Sequence, residues 1–355
     1  MPLVQLGPED QPQIFDIRQG DDNFNLEEEI INGLTSQPPW IPSLLLWDDR
    51  GQKLFDRFSQ RPSYYPFHSE MKVLTQHGSA IGDSIREDGI LLELGSGAIH
   101  KTKSILSGFR KQQKPVQYFA LDVSYEGLFT SLVELQRSFE GCHYITITGL
   151  LGTYDDCLTW LSGLKGIRLY RSVTILWLGN SICNMNSQEE AGAFLGRFNA
   201  ACGYSGLGCR FILSTDICQN DDKVRDAYNI QGPELQDFLF NALESANVAL
   251  DYKAFSAADW TLSSWLDNYK RTLHIYLTAN RDVLVQLPSS FNGDGAVTIR
   301  KGEKMHVIAS GKWSEEAMES ICEQAGFRVQ QRWKDNASDY CVFLLDQVAL
   351  RQRIQ

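Results

Sequence analysis

The residue types in this chain that could do chemistry concentrate in Glu93-Leu94-Gly95-Ser96-Gly97 and, one strand later, at Asp122. Glycine at 95 and 97 lets the backbone turn sharply and pass close to a ligand. A helix-like segment from about Lys101 to Phe109 follows and offers unpaired N–H groups at its start. Asp122 closes the apolar run Val116-Gln117-Tyr118-Phe119-Ala120-Leu121, within a few residues of the offset of about 20 at which an acid meets a ribose. The combination points to a nucleotide-like ligand; an ordinary strand-to-helix turn beside a strand-end aspartate is the plainer alternative.

Three ligand classes could use such a turn. A phosphate-binding loop needs a glycine directly before its Lys-Ser/Thr pair, and Lys101-Thr102 are preceded by His100. A dinucleotide fingerprint needs a third glycine where His100 again stands. S-adenosylmethionine carries a ribose and an adenine but no phosphate, so close backbone approach and a ribose acid suffice, and the motif suits it best. Methyl transfer from a sulfonium to an amine needs little acid or base chemistry if the amine arrives neutral, so positioning supplies most of the rate.

The elements that must hold these residues alternate strand and helix. Ile90-Leu91-Leu92 leads into the glycine pair. After Asp122 the pattern predicts a helix over 128–139, a strand over 144–148, a helix over 154–161, a strand over 173–178, a helix over 188–199 and a strand over 211–216. The run Val173-Thr174-Ile175-Leu176-Trp177-Leu178 is continuously apolar, as a strand buried on both faces must be. It ends in Gly179-Asn180-Ser181-Ile182-Cys183-Asn184. Open parallel sheets bind ligands at the carboxyl ends of their strands, which puts these asparagines where a substrate is expected, unless they only shape the turn. The fold class that follows is α/β with a Rossmann-like sheet.

Flanking segments differ. Residues 24–33 predict a short helix with acids in its first turns, and Gln37-Pro38-Pro39-Trp40-Ile41-Pro42 breaks it. Residues 44–58 are apolar at helical intervals. Tyr64-Tyr65, held between Pro62 and Pro66, could present two hydroxyls in a fixed direction or simply pack; residues 69–77 look helical. Beyond Cys218 come a polar loop over 220–222 and a helix to about Ala246 with Pro233 in its first turn. Strands over 272–279, 283–287 and 304–309 follow, with a turn at Asn292-Gly293-Asp294-Gly295, all reading as an inserted α+β unit. A helix over 314–325, ended by Gly326, and a last strand over 340–345 would return to the first sheet.

With 355 residues the chain can bury a sizeable core, and 43% hydrophobic with 22% charged residues describe an ordinary globular protein. A net charge of −11 argues against nucleic acid or an anionic membrane as partner and for a small-molecule substrate. The opening Met1-Pro2-Leu3-Val4-Gln5-Leu6 has no basic start or apolar core, and no run approaches the roughly 18 apolar residues of a membrane span, so a cytoplasmic location is expected. The eight cysteines lack paired or zinc-like spacing and are expected to be reduced, with no metal bound. A homodimer is left open.

Taken in order, Leu54-Phe55-Asp56, Tyr64-Tyr65-Pro66 with Glu70, Glu93-Leu94-Gly95-Ser96-Gly97 with Lys101-Thr102, Leu121-Asp122-Val123, Leu178-Gly179-Asn180-Ser181-Ile182-Cys183-Asn184 and Ala227-Tyr228 span most of the chain. This set resembles the class I methyltransferases of the ergothioneine-pathway histidine methyltransferase type, and more closely their fungal relatives that N-methylate dimethylallyltryptophan in ergot alkaloid pathways. The resemblance implies S-adenosylmethionine as cofactor, held by Glu93, Gly95, Ser96, Gly97, Lys101 and Asp122 with Thr153 and Tyr154 near the adenine. It implies a substrate held by Tyr64 and Asn184, with Trp47, Tyr228, Ile275, Ile308 and Ser310 around it.

It further implies a substrate domain made of residues 1–62 and an insertion over 218–313, and a cofactor domain made of 63–217 and 314–355. Where the histidine enzymes carry a glutamate that grips the imidazole, this chain offers Ile308; Trp47 stands in place of a tyrosine, and Thr153 in place of an acid at the adenine. Histidine is thereby disfavoured as substrate and an apolar aromatic amine favoured. Three other readings stay open from the sequence: a non-catalytic binding or regulatory protein that keeps the fold, N-methylation of a different secondary-metabolite amine, and a phosphate-dependent enzyme using Lys101-Thr102.

Overall fold

The strands that end in the glycine and asparagine turns form the middle of one mixed sheet, as seen in the computed structural model, which describes residues 4–6, 11–19, 25–87, 89–97, 99–166, 170–287, 295–334 and 339–348. In chain order the strands are β1 (Val4–Leu6), β2 (Ile14–Asp16), β3 (Gly89–Leu94), β4 (Val116–Asp122), β5 (Ile145–Leu151), β6 (Ser172–Trp177) and β7 (Gly208–Asp216). They continue with β8 (Trp260–Asp267), β9 (Thr272–Ala279), β10 (Val283–Gln286), β11 (Ala296–Ile299), β12 (Lys304–Gly311), β13 (Phe327–Trp333) and β14 (Tyr340–Gln347). The helices are α1 (Leu26–Thr35), α2 (Asp49–Ser59), α3 (Tyr65–Ser84), α4 (Ile99–Gln112), α5 (Tyr125–Ser138), α6 (Tyr154–Gly163), α7 (Gln188–Ser205), α8 (Asp221–Ala227), α9 (Pro233–Ala249) and α10 (Glu315–Gln324).

The chain divides into two units. The first comprises Met1–Arg18, Tyr65–Gln219 and Lys312–Gln355; the second comprises Gln19–Tyr64 and Asn220–Gly311. In the first, nine strands take the order β1-β2-β5-β4-β3-β6-β7-β14-β13. β2 through β7 run parallel to their neighbours, while β1, β14 and β13 pair antiparallel. Side chains alternate strictly between two cores. Leu91, Leu176 and Ile212 pack with Leu74 and Ile81 of α3, Leu106 of α4 and Leu132 of α5. Leu92, Ile175 and Phe211 pack with Leu161 of α6, Phe198 of α7 and Ile321 of α10. Each such fully buried side chain contributes about 1.5–3 kcal/mol of transfer free energy, so the strand registers that set the turns are strongly fixed.

The expected partition is corrected at its start. β2 adds to the sheet beside β5, with Ile14 opposite Gly149. Residues 1–18 therefore belong with the larger unit rather than with residues 19–62.

The second unit holds a three-stranded antiparallel sheet, β12-β9-β8, a β10-β11 ribbon, and the helices α1, α2, α8 and α9, with α2 packed on α9. One face of the sheet is inward, carrying Leu262, Leu266, Leu273, Ile275 and Leu277. Three sequence expectations change here. The expected helix with Pro233 in its first turn is α9, but a short additional helix, α8, opens at Asp221 inside the expected polar loop and ends at Ala227. β8 was not expected, since Ser263 and Ser264 interrupt its apolar alternation. Residues 44–58 form a 3₁₀ turn (Ser43–Leu46) and then α2, which Asp48 caps by accepting the Gly51 N–H at 2.7 Å. Of the expected turn at 292–295, residues 292–294 lie outside the described residues.

Candidate functional site

The glycine turn is built as its residue types demand. Gly95 has φ of 69°, in the left-handed region that favours glycine. Its N–H and that of Ser96 both donate to the Leu121 carbonyl, at 2.9 and 3.1 Å, so the turn is tied to the end of β4. Asp122 is thereby held one residue from the turn's anchor. It is 7% exposed, and its Oδ1 accepts the Ser124 N–H at 3.1 Å.

Two observations make this turn a cradle for a group with polar edges. The buried Ser96 Oγ has no hydrogen-bond partner, which a buried hydroxyl rarely tolerates. A Cβ placed on Gly97 would meet nothing within 4 Å, so the backbone lies open there.

Glu93 braces the turn from beneath. Its Oε2 accepts from Thr102 Oγ1 at 2.7 Å and from Tyr118 Oη at 2.5 Å, joining β3 to α4 and β4. Burial raises its pKa, against the lowering effect of those two hydrogen bonds and of Lys101. Across the turn, Tyr154 opens α6 with its ring edge-on to Trp177, centroids 5.7 Å apart, and its hydroxyl accepts from Trp177 Nε1 at 3.3 Å. Burial pushes its phenol up to about 12. Thr153 caps the same helix in a capping box, its Oγ1 accepting the Asp156 N–H while Asp156 accepts the Thr153 N–H at 2.8 Å. Thr153 thus stands next to Tyr154 at the carboxyl end of β5, and its side chain serves the helix end.

At the end of β6 a second turn is fixed by Glu70 and Lys101, two motif residues whose pairing the sequence did not show. Lys101 Nζ lies 2.7 Å from Glu70 Oε2, and Glu70 Oε1 accepts the Gly179 N–H at 2.7 Å and the Ser214 hydroxyl. Glu70 is 1% exposed, so Lys101 has its charge matched inside the protein. A phosphate-binding role for Lys101-Thr102 loses its basis. Asn180, in the left-handed region at φ of 62°, accepts the Asp216 N–H at 2.8 Å and starts the 3₁₀ turn Ser181–Asn184. Asn184 ends that turn half-buried.

The second unit gathers most of the expected substrate residues by itself. Tyr64 Oη is 3.3 Å from Tyr228 Oη, which is 3.2 Å from Ser310 Oγ, forming a line of three hydroxyls. The Tyr64 ring packs on Phe58 (centroids 4.5 Å) and edge-on to Tyr228 (5.3 Å). Trp47 joins Phe55 and Phe238 at 5.1 and 5.2 Å. Ile308 stands opposite Ile275 in the β12–β9 register, just past a bulge at His306, and Ser310 is two residues further along the same face. The unit therefore offers hydroxyls and aromatic rings.

Sequence reasoning placed Gly95, Ser96, Gly97, Lys101, Asp122, Thr153, Tyr154 and Asn184 in one unit, and all of them sit at the carboxyl ends of its parallel strands. It missed Asn180, Asp216 and Lys312 as one connected group. Asp216 Oδ2 lies 3.0 Å from Lys312 Nζ and accepts from Tyr65 Oη at 2.6 Å. Tyr65 was visible in the Tyr-Tyr-Pro motif; a lone Asp or Lys gives no such signal. Among the described residues, no group of three or more His, Cys, Asp or Glu side chains is placed to hold a metal, and no helix is long and apolar enough to cross a membrane. The cysteines are all free thiols.

Residues 26–347 match the family of histidine-specific, S-adenosylmethionine-dependent methyltransferases. The N-methyltransferase benX of Aspergillus terreus is 39% identical over 348 residues, covering 97% of this chain and 95% of that one. The 4-dimethylallyltryptophan N-methyltransferase easF of Aspergillus fumigatus is 28% identical over 340 residues, covering 94% and 97%. Ergothioneine biosynthesis protein 1 of Neurospora crassa is 30% identical over 325 residues, covering 90% of this chain and 35% of that one. The chain belongs to the histidine-specific S-adenosylmethionine-dependent methyltransferase family and is an N-methyltransferase. Its fold is α/β, with the mainly parallel nine-stranded sheet described above.

Proposed function

We propose that this enzyme methylates the amine nitrogen of an apolar aromatic amine derived from an aromatic amino acid, in secondary metabolism of the alkaloid kind. The observation that carries this reading is the hydroxyl line Tyr64–Tyr228–Ser310 set among aromatic rings, with Ile308 opposite Ile275 beside it. Such a surface suits a neutral aromatic body and can hydrogen-bond one amine, whereas a charged imidazole would want a carboxylate.

In this reading Gly95, Ser96, Gly97, Lys101, Asp122, Thr153 and Tyr154 hold the cofactor. The turn's backbone and the unpartnered Ser96 hydroxyl meet its polar edges, and the Asp122 carboxylate takes ribose hydroxyls. Bound there, the cofactor supplies an electrophilic methyl group on a sulfonium. The chain's own work is to present a neutral amine. Tyr64 Oη accepts from the amine N–H while donating to Tyr228 Oη, which donates in turn to Ser310 Oγ, so the nitrogen lone pair is left unblocked. The Asn184 amide orients the carboxyl or second N–H of the amino acid portion, and Trp47, Ile275 and Ile308 border the ring. A cytoplasmic location and a homodimer complete the reading, and cell fractionation and light scattering test them.

The test is a panel of indole and phenol amines, dimethylallyltryptophan and histidine among them, incubated with isotope-labelled cofactor and read by mass spectrometry. Labelled N-methyl product from the aromatic amines and none from histidine is expected. Turnover of histidine alone would overturn the substrate class.

A further inference from the structure

Lys312 and Asp216 form an ion pair with both side chains 0% exposed, at 3.0 Å. Such a pair is a poor device for stability, because withdrawing two charges from water costs several kcal/mol per ion and a well-packed apolar pair serves as well or better. The hydrogen bonds around it show where its effect goes. Asp216 Oδ2 also accepts from Tyr65 Oη at 2.6 Å, and its Oδ1 accepts the Cys218 N–H at 3.0 Å. Its own N–H donates to Asn180 Oδ1 at 2.8 Å.

Asn180 is the one residue of the Gly179–Asn184 turn that combines a left-handed backbone with a side-chain bond to a neighbouring strand end, and its carbonyl accepts the Cys183 N–H at 3.0 Å. A non-glycine residue stays in that conformation only where its surroundings over-determine it. Tyr65 and Lys312 each open a segment of this unit, and Gln219, which closes one, donates from Nε2 to the Lys312 carbonyl at 3.0 Å. Two stretches distant in sequence, at Tyr65 and Lys312, thus converge on the Asp216 carboxylate, and the same residue's backbone N–H holds the turn.

We propose that Lys312 is a positioning residue for methyl transfer: it fixes Asp216, and through Asp216 the Asn180–Asn184 turn, in the arrangement from which Asn184 orients the substrate. The inference rests on the substrate role given to Asn184 above. Without the ammonium, the Asp216 carboxylate is left buried with its charge uncompensated. It then recruits water or a proton and shifts, which releases the Asp216 N–H from Asn180.

The test compares Lys312→Met with Lys312→Arg in the full-length chain. Three quantities are read: hydrogen exchange of the peptide over residues 178–185, affinity for S-adenosylhomocysteine by calorimetry, and KM and kcat for the best amine of the panel. In Lys312→Met, exchange over 178–185 should accelerate by about tenfold or more and KM should rise by about tenfold, the equivalent of one lost buried hydrogen bond. Exchange over residues 93–97 and cofactor-product affinity should stay near wild type, and Lys312→Arg should recover most of the loss. Wild-type exchange over 178–185 in Lys312→Met, or acceleration spread evenly over the whole unit, would overturn the proposal.

If Lys312→Met does not fold, Tyr65→Phe removes one hydrogen bond from Asp216 while keeping the ring. It should move the same peptide in the same direction, by about threefold; no change there also overturns the proposal. Asn184→Ala separates the two ideas. If it keeps wild-type KM, the substrate reading fails, whatever exchange shows. If it loses substrate while the Lys312 and Tyr65 variants leave the turn unmoved, only the positioning role fails.

Discussion

The Lys101 ammonium and the Gly179 α-carbon are neighbours: a Cβ built on Gly179 would lie 3.0 Å from Lys101 Nζ, with Gly179 itself at φ of 78°. The turn that follows β6 is thereby packed on a charged group carried by α4, the helix that follows β3, and that group's partner Glu70 also binds the Gly179 N–H. Gly179→Ala should cost about 1–2 kcal/mol from the backbone strain alone, more if Lys101 cannot yield. Urea unfolding at neutral pH measures this. Gly97→Ala is the contrasting case, since its Cβ meets nothing within 4 Å. It should change stability by less than about 0.5 kcal/mol yet weaken cofactor binding, because the methyl group takes up space the ligand would use.

Glu70→Gln leaves Lys101 without its counter-charge and Gly179 with a weaker acceptor. With Glu70 1% and Lys101 13% exposed at the side chain, the loss should fall near the lower end of the range for breaking a buried pair, about 3 kcal/mol. Thermal and urea melts check it. A loss below 1 kcal/mol would show that the pair is not a brace.

Asp122→Ala and Tyr64→Phe should divide the two binding steps. The first removes the carboxylate proposed to hold the ribose and should weaken the cofactor product by about 1–3 kcal/mol with the second unit's hydroxyl line intact. The second keeps the ring contacts to Phe58 and Tyr228 but removes the hydroxyl 3.3 Å from Tyr228, so amine KM should rise while cofactor affinity holds. Calorimetry and steady-state kinetics on the same preparations read both.

His306 gives the fold a pH dependence. Burial, reinforced by the neighbouring His274 3.3 Å away, lowers its pKa from 6.5 to about 4. Between those values the unfolded chain holds the extra proton and the folded chain does not, so stability rises with pH across the window and is lost as pH falls from 6.5 towards 4. The window's full effect is on the order of 3 kcal/mol, and His306→Gln should flatten it. Urea midpoints at several pH values test the sign; stability that increases on acidification would refute it.

The parallel centre of the sheet is legible because strands buried on both faces leave continuous apolar runs, as in Val173–Trp177, and because β3 and β6 run into glycines at 95 and 179 where the chain must turn. The edges leave no such trace. β1 and β2 are three residues each, and β13 buries only Phe327 and Trp333, with Arg328, Gln330, Gln331 and Arg332 between them. The glycine turn could be read from spacing since Gly95, Gly97 and Asp122 lie within one strand-turn-helix-strand unit. Glu70, Asp216 and Lys312 could not, because each acquires its meaning only from a partner brought near by the sheet: Glu70 from Lys101, and Asp216 from both Tyr65 and Lys312.

The place of β14, paired on one side with β7 and on the other with β13, sets an order on biosynthesis. β7 is complete when Asp216 leaves the ribosome, but the strand that covers its open flank ends at Gln347, after the entire second unit has been made. Until then the nascent chain carries Phe211, Ile212 and Leu213 on an unpaired edge, the kind of template that recruits foreign strands. A transcript cut short between the codons for Asp216 and Tyr340 should therefore yield a product that aggregates through this open edge rather than a smaller enzyme.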